Sequence, residues 1–415
     1  MVPSAPKKFE LYDSIHQMEP LLPGEHKQAA LLERAHDVQV AAHRLSALSQ
    51  PGALSDMRDL LRAMNSYYSN KIEGQHTLPL EIEQALRRDY SADADKARRQ
   101  RLALAHMHTE AWLEQPDSTR TLLWPNDSIW GVDAVTGIHQ HLFAQLRPGD
   151  RSDSDGGSNS GDLLVPGQLR NRNVSVGIHA APAHSAITAL LRRWGEVYSG
   201  ARRGEMQLLA AAASHQRLAW IHPFVDGNGR VARLHTHSVL VRLGLSNGLW
   251  SVLRGFARTQ EQYYARLAAA DEPRAGDLDG RGNLSEAALI QWIGYVLDIC
   301  ADQVAFMTSL LNLAHMKDRI AACLAYEQNV VKQGVRSESL RALHYLFATQ
   351  VELERADFKA MLGLGERLAS AQVSALLKRG LLKSDTPYGK LRFGVPMHAL
   401  RFYFPNLWPE AEGVA

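Results

Sequence analysis

The stretch His222-Pro223-Phe224-Val225-Asp226-Gly227-Asn228-Gly229-Arg230-Val231-Ala232-Arg233 decides how this chain is read. It gathers a histidine, a carboxylate, two glycines, an asparagine and two arginines into twelve residues. A turn needs the glycines but has no use for the rest. The apolar run over 208–221 predicts a helix that ends near Pro223, because proline cannot continue a helix and turns the preceding residue out of helical geometry. Beyond Gly229 the spacing of Val231, Leu234, Val239, Leu240 and Leu243 returns to a helical period. Residues 226–230 are therefore expected to form a tight loop feeding a helix N-terminus, where unpaired N–H groups and the helix dipole favour an anion. Gly227 and Gly229 let a ligand approach the backbone. Arg230 and Arg233, three apart, share a helix face and carry forks that suit phosphate oxygens. Asp226 brings hard oxygens of the kind Mg²⁺ prefers when it also bridges phosphates. His222, with an ordinary pKa of about 6.5, is the natural base at neutral pH.

This run resembles the signature of the Fic family, H-x-F-x-[DE]-G-N-G-R-x-x-R, at every defined position. The resemblance implies an enzyme that moves AMP from ATP, with Mg²⁺, onto a Ser, Thr or Tyr hydroxyl of a protein, self-modification included. It implies that His222 takes the proton of that hydroxyl, that Phe224 anchors the loop and that Asp226 holds Mg²⁺ between the α- and β-phosphates. The backbone of Gly227 to Gly229, with Asn228, forms the implied anion nest. Arg230 and Arg233 grip the β- and γ-phosphates.

Upstream stands Ser69-Asn70-Lys71-Ile72-Glu73-Gly74. Taken alone, it reads as a helix end, with Gly74 the cap and Glu73 a solvated charge. Beside the first signature it resembles the family's inhibitory motif, [ST]-x-x-x-E-[GN], in the class whose inhibitory helix precedes the core. Arg233 then pairs either with the γ-phosphate or with Glu73, and pairing with Glu73 blocks in-line transfer. In some relatives the same glutamate positions a water that removes AMP, so a hydrolase acting on AMP-modified protein is the alternative activity.

Two further stretches carry weaker resemblances. Alternation of Val174, Val176 and Ile178 around Gly177 predicts a strand with one buried side over 173–178. In Fic relatives a flap hairpin occupies this place, after a Gly-x-x-Arg-like start (here Gly167 to Arg170), and docks the target by strand addition. Tyr263 and Tyr264 are the candidates for an adenine contact, with core packing as the competing reading.

The whole chain sets bounds. It has 415 residues, 45% of them hydrophobic, and a formal charge of +2, which gives no footprint of a nucleic-acid or membrane binder. Two cysteines, Cys300 and Cys323, argue against a disulfide framework or zinc site and suit a reducing cytoplasm. The start lacks an apolar signal core, and no run reaches the length of a membrane span. A mainly α fold is expected: an N-terminal helical region over 1–115 with the inhibitory helix near 54–74, a Fic-type core over 116–315, a linker helix over 316–337 and a tail from 401. Between them, 338–400 reads as a winged helix-turn-helix, with helices over 340–347, 354–361 and 366–378 and a strand over 392–395. Arg367, Ser370, Gln372 and Ser374 are its candidates for a DNA groove, with Lys383, Lys390 and Arg392 on phosphates. Protein docking or homodimer contact is the favoured use of such a module. Helices are also expected over 28–48, 79–115, 128–146 and 286–313. His139 and His141 read as packing or surface residues, His215 as a core residue or a support to the loop, and the polar run 147–162 as a surface loop.

Overall fold

A computed structural model describes residues 12–47, 54–75, 77–115, 128–151, 164–177, 179–202, 204–349, 351–405 and 407. These residues are mainly helical, with two short antiparallel hairpins. The N-terminal region holds α1 (Ala29–Ala47), α2 (Leu54–Ile72), α3 (Pro79–Leu86) and α4 (Ala94–Leu113). The single helix expected over 79–115 is two. Arg88 takes a left-handed φ of 63°, and the Asp93 carboxylate then accepts the N–H groups of Asp95 and Lys96 to start α4.

After α5 (Val132–Ala144) come strands β1 (Ser175–Val176) and β2 (His179–Ala180), paired with Ser175 opposite Ala180. One strand was expected here. Gly177, at φ 58°, reverses the chain and makes a hairpin of it. Ile178, the side chain of Val176 and most of the polar loop lie outside the described residues. There follow α6 (Ile187–Ser199), α7 (Gly204–Ile221), α8 (Asn228–Arg242), α9 (Val252–Arg258), α10 (Gln260–Asp271), α11 (Glu286–Leu310) and α12 (Leu313–Tyr326). Ser285 caps α11 as expected, its Oγ accepting the Ala288 N–H at 3.1 Å. The helix expected over 286–313 breaks before its end, and Asn312 starts α12 by accepting the His315 N–H.

The core is organised around α7. Its residues from Leu208 to Leu218 are buried, and the run of alanines at 210–213 lets α1, α6, α8 and α11 close in on different sides. A helix apolar on all faces has to sit inside. By length and composition α11 is apolar enough to cross a membrane, but 61% of that window is buried in the protein. The Trp292 indole on α11 donates to the Ala212 carbonyl at 2.7 Å. Cys300 and Cys323 are buried and free.

The C-terminal region holds α13 (Leu340–Thr349), α14 (Arg355–Leu362), α15 (Glu366–Lys378), β3 (Leu382–Lys383), β4 (Arg392–Phe393) and the short α16 (Leu400–Tyr403). Leu382 pairs opposite Phe393. Gln372 does not face a groove: it is 1% exposed and its amide lies 2.6 Å from Ser339 Oγ. Lys390 pairs with Glu354, and Arg392 with Asp385 and Glu352. The Tyr68 hydroxyl on α2 donates to the Leu407 carbonyl at 3.2 Å, which ties the C-terminal segment to the N-terminal region.

Candidate active site

Helix α7 ends on His222, whose N–H reaches the Leu218 carbonyl at 3.1 Å and whose φ is +50°. A side chain in this left-handed region costs about 1 kcal/mol, and glycine is the usual residue there. Arg170 holds the strained turn in place. Its Nε donates to the His222 carbonyl at 2.8 Å, its Nη1 to Arg172 O at 2.9 Å and its Nη2 to Pro182 O at 2.5 Å. Its own N–H donates to Pro223 O at 2.9 Å. One buried guanidinium therefore joins the catalytic-loop backbone to both ends of the flap. The sequence marked Arg170 as the start of the flap. It did not disclose the clamp.

Within the loop, Asn228 faces inward. Its Oδ1 accepts the Phe224 N–H and its Nδ2 donates to the Phe224 carbonyl, both at 2.9 Å. The Asn228 amide thus braces the loop, where a share in an anion nest was expected. Phe224 is buried and stacks on His139 with centroids 3.9 Å apart. His139 Nδ1 accepts the Gly167 N–H at 2.8 Å, so its Nε2–H faces the Asp226 carbonyl at 3.3 Å. Burial lowers the His139 pKa to about 4. His139 is the packing residue expected, and it also sets the height of the loop. Gly227 adopts φ +81°, and a Cβ there would meet the Phe143 ring at 2.4 Å. The demand for glycine at 227 comes from the core, not from a ligand. The Asp226 carboxylate accepts the Gly227 N–H at 2.5 Å.

Helix α8 begins at Asn228, so Gly229 and Arg230 stand in its first turn and not in the loop where they were expected. Arg230 and Arg233 are both buried, and both are engaged by the end of α2. Arg233 Nε donates to Ser69 Oγ at 3.0 Å, and its Nη2 to Ser69 O at 3.1 Å and Glu73 Oε1 at 2.5 Å. Arg230 Nε donates to Asn70 Oδ1 at 3.2 Å and its Nη2 to Gln75 Oε1 at 3.0 Å. Gly74 at φ +72° caps α2: Gln75 N–H returns to Asn70 O at 2.8 Å and Gly74 N–H to Lys71 O at 3.0 Å. The helix-end reading of this hexapeptide was right for Gly74 and wrong for Glu73, whose side chain is 27% exposed and paired.

Glu73 is the common neighbour of the site. A Cβ on Gly229 would lie 2.5 Å from its Oε1, so the carboxylate sits directly on the first turn of α8. Desolvation alone would raise its pKa, but Arg233 and Arg230 outweigh that and hold it below the usual carboxylate range. His222 feels the same carboxylate, yet burial dominates there and lowers its pKa to about 4, leaving a neutral imidazole at pH 7.

The two tyrosines separate. Tyr263 is buried, its hydroxyl 2.9 Å from His215 Nε2, while His215 Nδ1 lies 2.8 Å from Thr236 Oγ1. Thr236 Oγ1 donates to Ala232 O, so His215 Nδ1–H donates to Thr236 and Nε2 accepts from Tyr263. Burial raises the Tyr263 pKa well above its ordinary value, against the opposing pull of the nearby Arg233. Tyr264 is 44% exposed and donates to the Ile72 carbonyl at 2.9 Å, bracing the end of α2. On the flap, Val174 O accepts the Ala181 N–H at 3.2 Å, while Ser175 and Gly177 are exposed. His179, which the sequence did not single out, rests its Nε2 on Trp220 O at 2.9 Å beside His222.

Fold and loop together define a helical protein with a histidine- and arginine-bearing turn at a helix start, and residues 130–240 match the Fic/DOC family. That match contains the whole 222–233 stretch but neither Glu73 nor the C-terminal region. It is 29% identical over 182 residues to "Protein adenylyltransferase Fic" of Nematostella vectensis, covering 43% of this chain and 37% of that one. It is 34% identical over 84 residues to the protein of the same name in Drosophila ananassae, covering 20% and 17%. The chain thus spans well under half the length of these relatives. Among solved structures, a Fic family protein from Desulfovibrio desulfuricans G20 is similar over 88% of this chain and 96% of its own, with TM-score 0.48 and 15% identity. Fic-1 from C. elegans is similar over 68% and 73%, with TM-score 0.49 and 17% identity.

Proposed function

We propose that this protein transfers AMP from ATP to a Ser, Thr or Tyr hydroxyl of a protein, and that Glu73 holds the transfer in check. The observation that carries this reading is the single contact between Glu73 and Arg233, made on the first turn of α8. The carboxylate sits where a helix start and two buried guanidinium groups would also receive an anionic ligand. In the active state Glu73 leaves, and its place over Gly229 is taken by phosphate oxygens. Arg230 and Arg233 then neutralise the β- and γ-phosphates, and the α8 N-terminus faces the charge that develops during transfer. His222, neutral and fixed through its carbonyl by Arg170, accepts the proton of the attacking hydroxyl. The hydroxyl oxygen bonds to the α-phosphorus as the bond to the β-phosphate oxygen breaks, and pyrophosphate leaves.

Asp226 fits a hard divalent cation: it is a partly exposed carboxylate at the mouth of the turn, beside the proposed phosphate path. Mg²⁺ there would offset phosphate charge and fix the triphosphate's orientation. The flap's exposed edge suits a target segment added as a strand.

Mass spectrometry of the Glu73→Gly protein after incubation with ATP and Mg²⁺ tests the reading. A mass gain of one AMP on itself or a target, absent from Glu73→Gly/His222→Ala, is the expected result. No transfer and no ATP binding by Glu73→Gly would overturn it. A second reading is hydrolysis of AMP-modified protein, favoured by the electrostatic reach between Glu73 and His222. Presenting an AMP-modified protein to the unsubstituted enzyme separates the two.

A further inference from the structure

Behind the arginines lies a second cluster of ionisable groups that the proposed transfer does not use. His106, Glu110 and Glu114 recur every four residues on α4, so one helix face carries all three. They meet His237 of α8, one turn beyond Arg233. His237 Nε2 lies 2.8 Å from Glu114 Oε1 and 3.7 Å from Glu110 Oε1. Ligand atoms of Glu110, Glu114 and His237 all fall within 4.8 Å of one another. His106 is fully buried, and its Nδ1 faces Glu110 Oε2 at 3.7 Å. Among the described residues neither ring nitrogen of His106 has a hydrogen-bond partner, nor have Glu110 Oε2 and His237 Nδ1.

Burying so many unpaired polar atoms in one place costs heavily unless something else binds them. We propose that Glu110, Glu114 and His237 bind one divalent first-row transition-metal ion. Two carboxylates and an imidazole suit Zn²⁺ or Mn²⁺ better than a hard alkaline-earth ion. The outer contacts are those a metal ligand needs. Arg62 Nε and Nη2 hold Glu114 Oε2 at 3.0 and 2.6 Å, leaving Oε1 turned to His237. Asn65 Nδ2 holds Glu110 Oε1 at 2.6 Å, leaving Oε2 turned to His106. Such supports orient the primary ligands. Arg62 and Asn65 belong to α2, so the ion would join the inhibitory helix, α4 and the arginine-bearing helix at one point.

The competing arrangement is a proton on His237 shared between the two carboxylates. Metal analysis of untagged full-length protein, purified without added metal and then titrated with Zn²⁺ in the absence of nucleotide, decides between them. The expected result is about one equivalent of Zn²⁺ retained through dialysis, a higher thermal midpoint, and loss of both in His237→Gln. Co²⁺ added to the unsubstituted protein should give visible d–d bands, a readout that does not depend on any variant folding. Asp226→Ala should retain Zn²⁺ in full, which separates this ion from Mg²⁺ at the loop. Absence of Zn²⁺ uptake and of a Co²⁺ spectrum by the folded protein, or uptake undiminished in His237→Gln, would overturn the proposal.

Discussion

At the scale of single residues, His222 occupies a position where its chemistry and its backbone disagree. Its φ of +50° suits glycine, and the proposed function gives the ring its reason to be there. His222→Gly and His222→Ala both remove the base, but only glycine relieves the left-handed strain. Thermal denaturation should find His222→Gly the more stable of the two, by about 1 kcal/mol. Equal midpoints would mean that Arg170 imposes no strain on the turn. The lowered His222 pKa of about 4 gives a second prediction. A base is competent when unprotonated, so a depressed pKa moves the acid limb of the rate downward. Transfer by Glu73→Gly should be flat from about pH 6.5 to 8, and a limb centred above pH 7 would exclude His222 as the base. The residue types and spacing of the loop were legible in the sequence because chemistry restricts them. The reasons for individual residues were less so. Gly227 answers to Phe143 and Asn228 to Phe224, and nothing in a one-dimensional pattern separates packing around a loop from contact with a ligand.

At the scale of elements, the end of α2 grips both arginines, and under the proposed function it would act as a latch. Ser69 contributes one neutral hydrogen bond through Oγ, while Glu73 contributes the charged contact. Ser69→Ala should loosen the latch by about 1 kcal/mol and raise basal transfer up to about fivefold. Glu73→Gly should raise it far more, and adding Ser69→Ala to that background should change nothing further. If the double substitution gained another fivefold, Ser69 would be acting on Arg233 in the productive state instead. The sign of the Glu73 shift sets the pH range of the latch. Its carboxyl is held below the usual 4.5, so the contact is complete above that value and lost only as pH falls through the lowered one. The ratio of Glu73→Gly to unsubstituted rates should therefore stay constant between about pH 6 and 8. The helices themselves were readable from periodicity, but their breaks were not. The reversal at Arg88, the hairpin at Gly177 and the restart at Asn312 each depend on one local φ or one capping side chain. Period counting averages such details away.

At the scale of the whole molecule, the C-terminal segment meets α2 beside the site. Tyr68 stands next to Ser69 on α2, and its hydroxyl reaches back to Leu407, across 339 residues of chain. No sequence pattern announces a contact of that range. It makes the C-terminal region a mechanical neighbour of the latch, whatever that region binds. The basic side chains Lys390 and Arg392 are already matched by Glu354, Asp385 and Glu352, and Gln372 is buried. These ion pairs and the burial of Gln372 occupy side chains that were candidates for DNA contacts. Tyr68→Phe removes the long-range bond, along with the hydroxyl's interaction with Arg254, while keeping the ring's packing against Tyr67. If the C-terminal segment steadies α2, the substitution should raise basal transfer by up to about fivefold, the worth of one net hydrogen bond. The same change made on top of Glu73→Gly should leave transfer unaltered, because the latch is already open. A rate increase that persisted in the Glu73→Gly background would trace the effect to the nucleotide site itself and sever the C-terminal region from control.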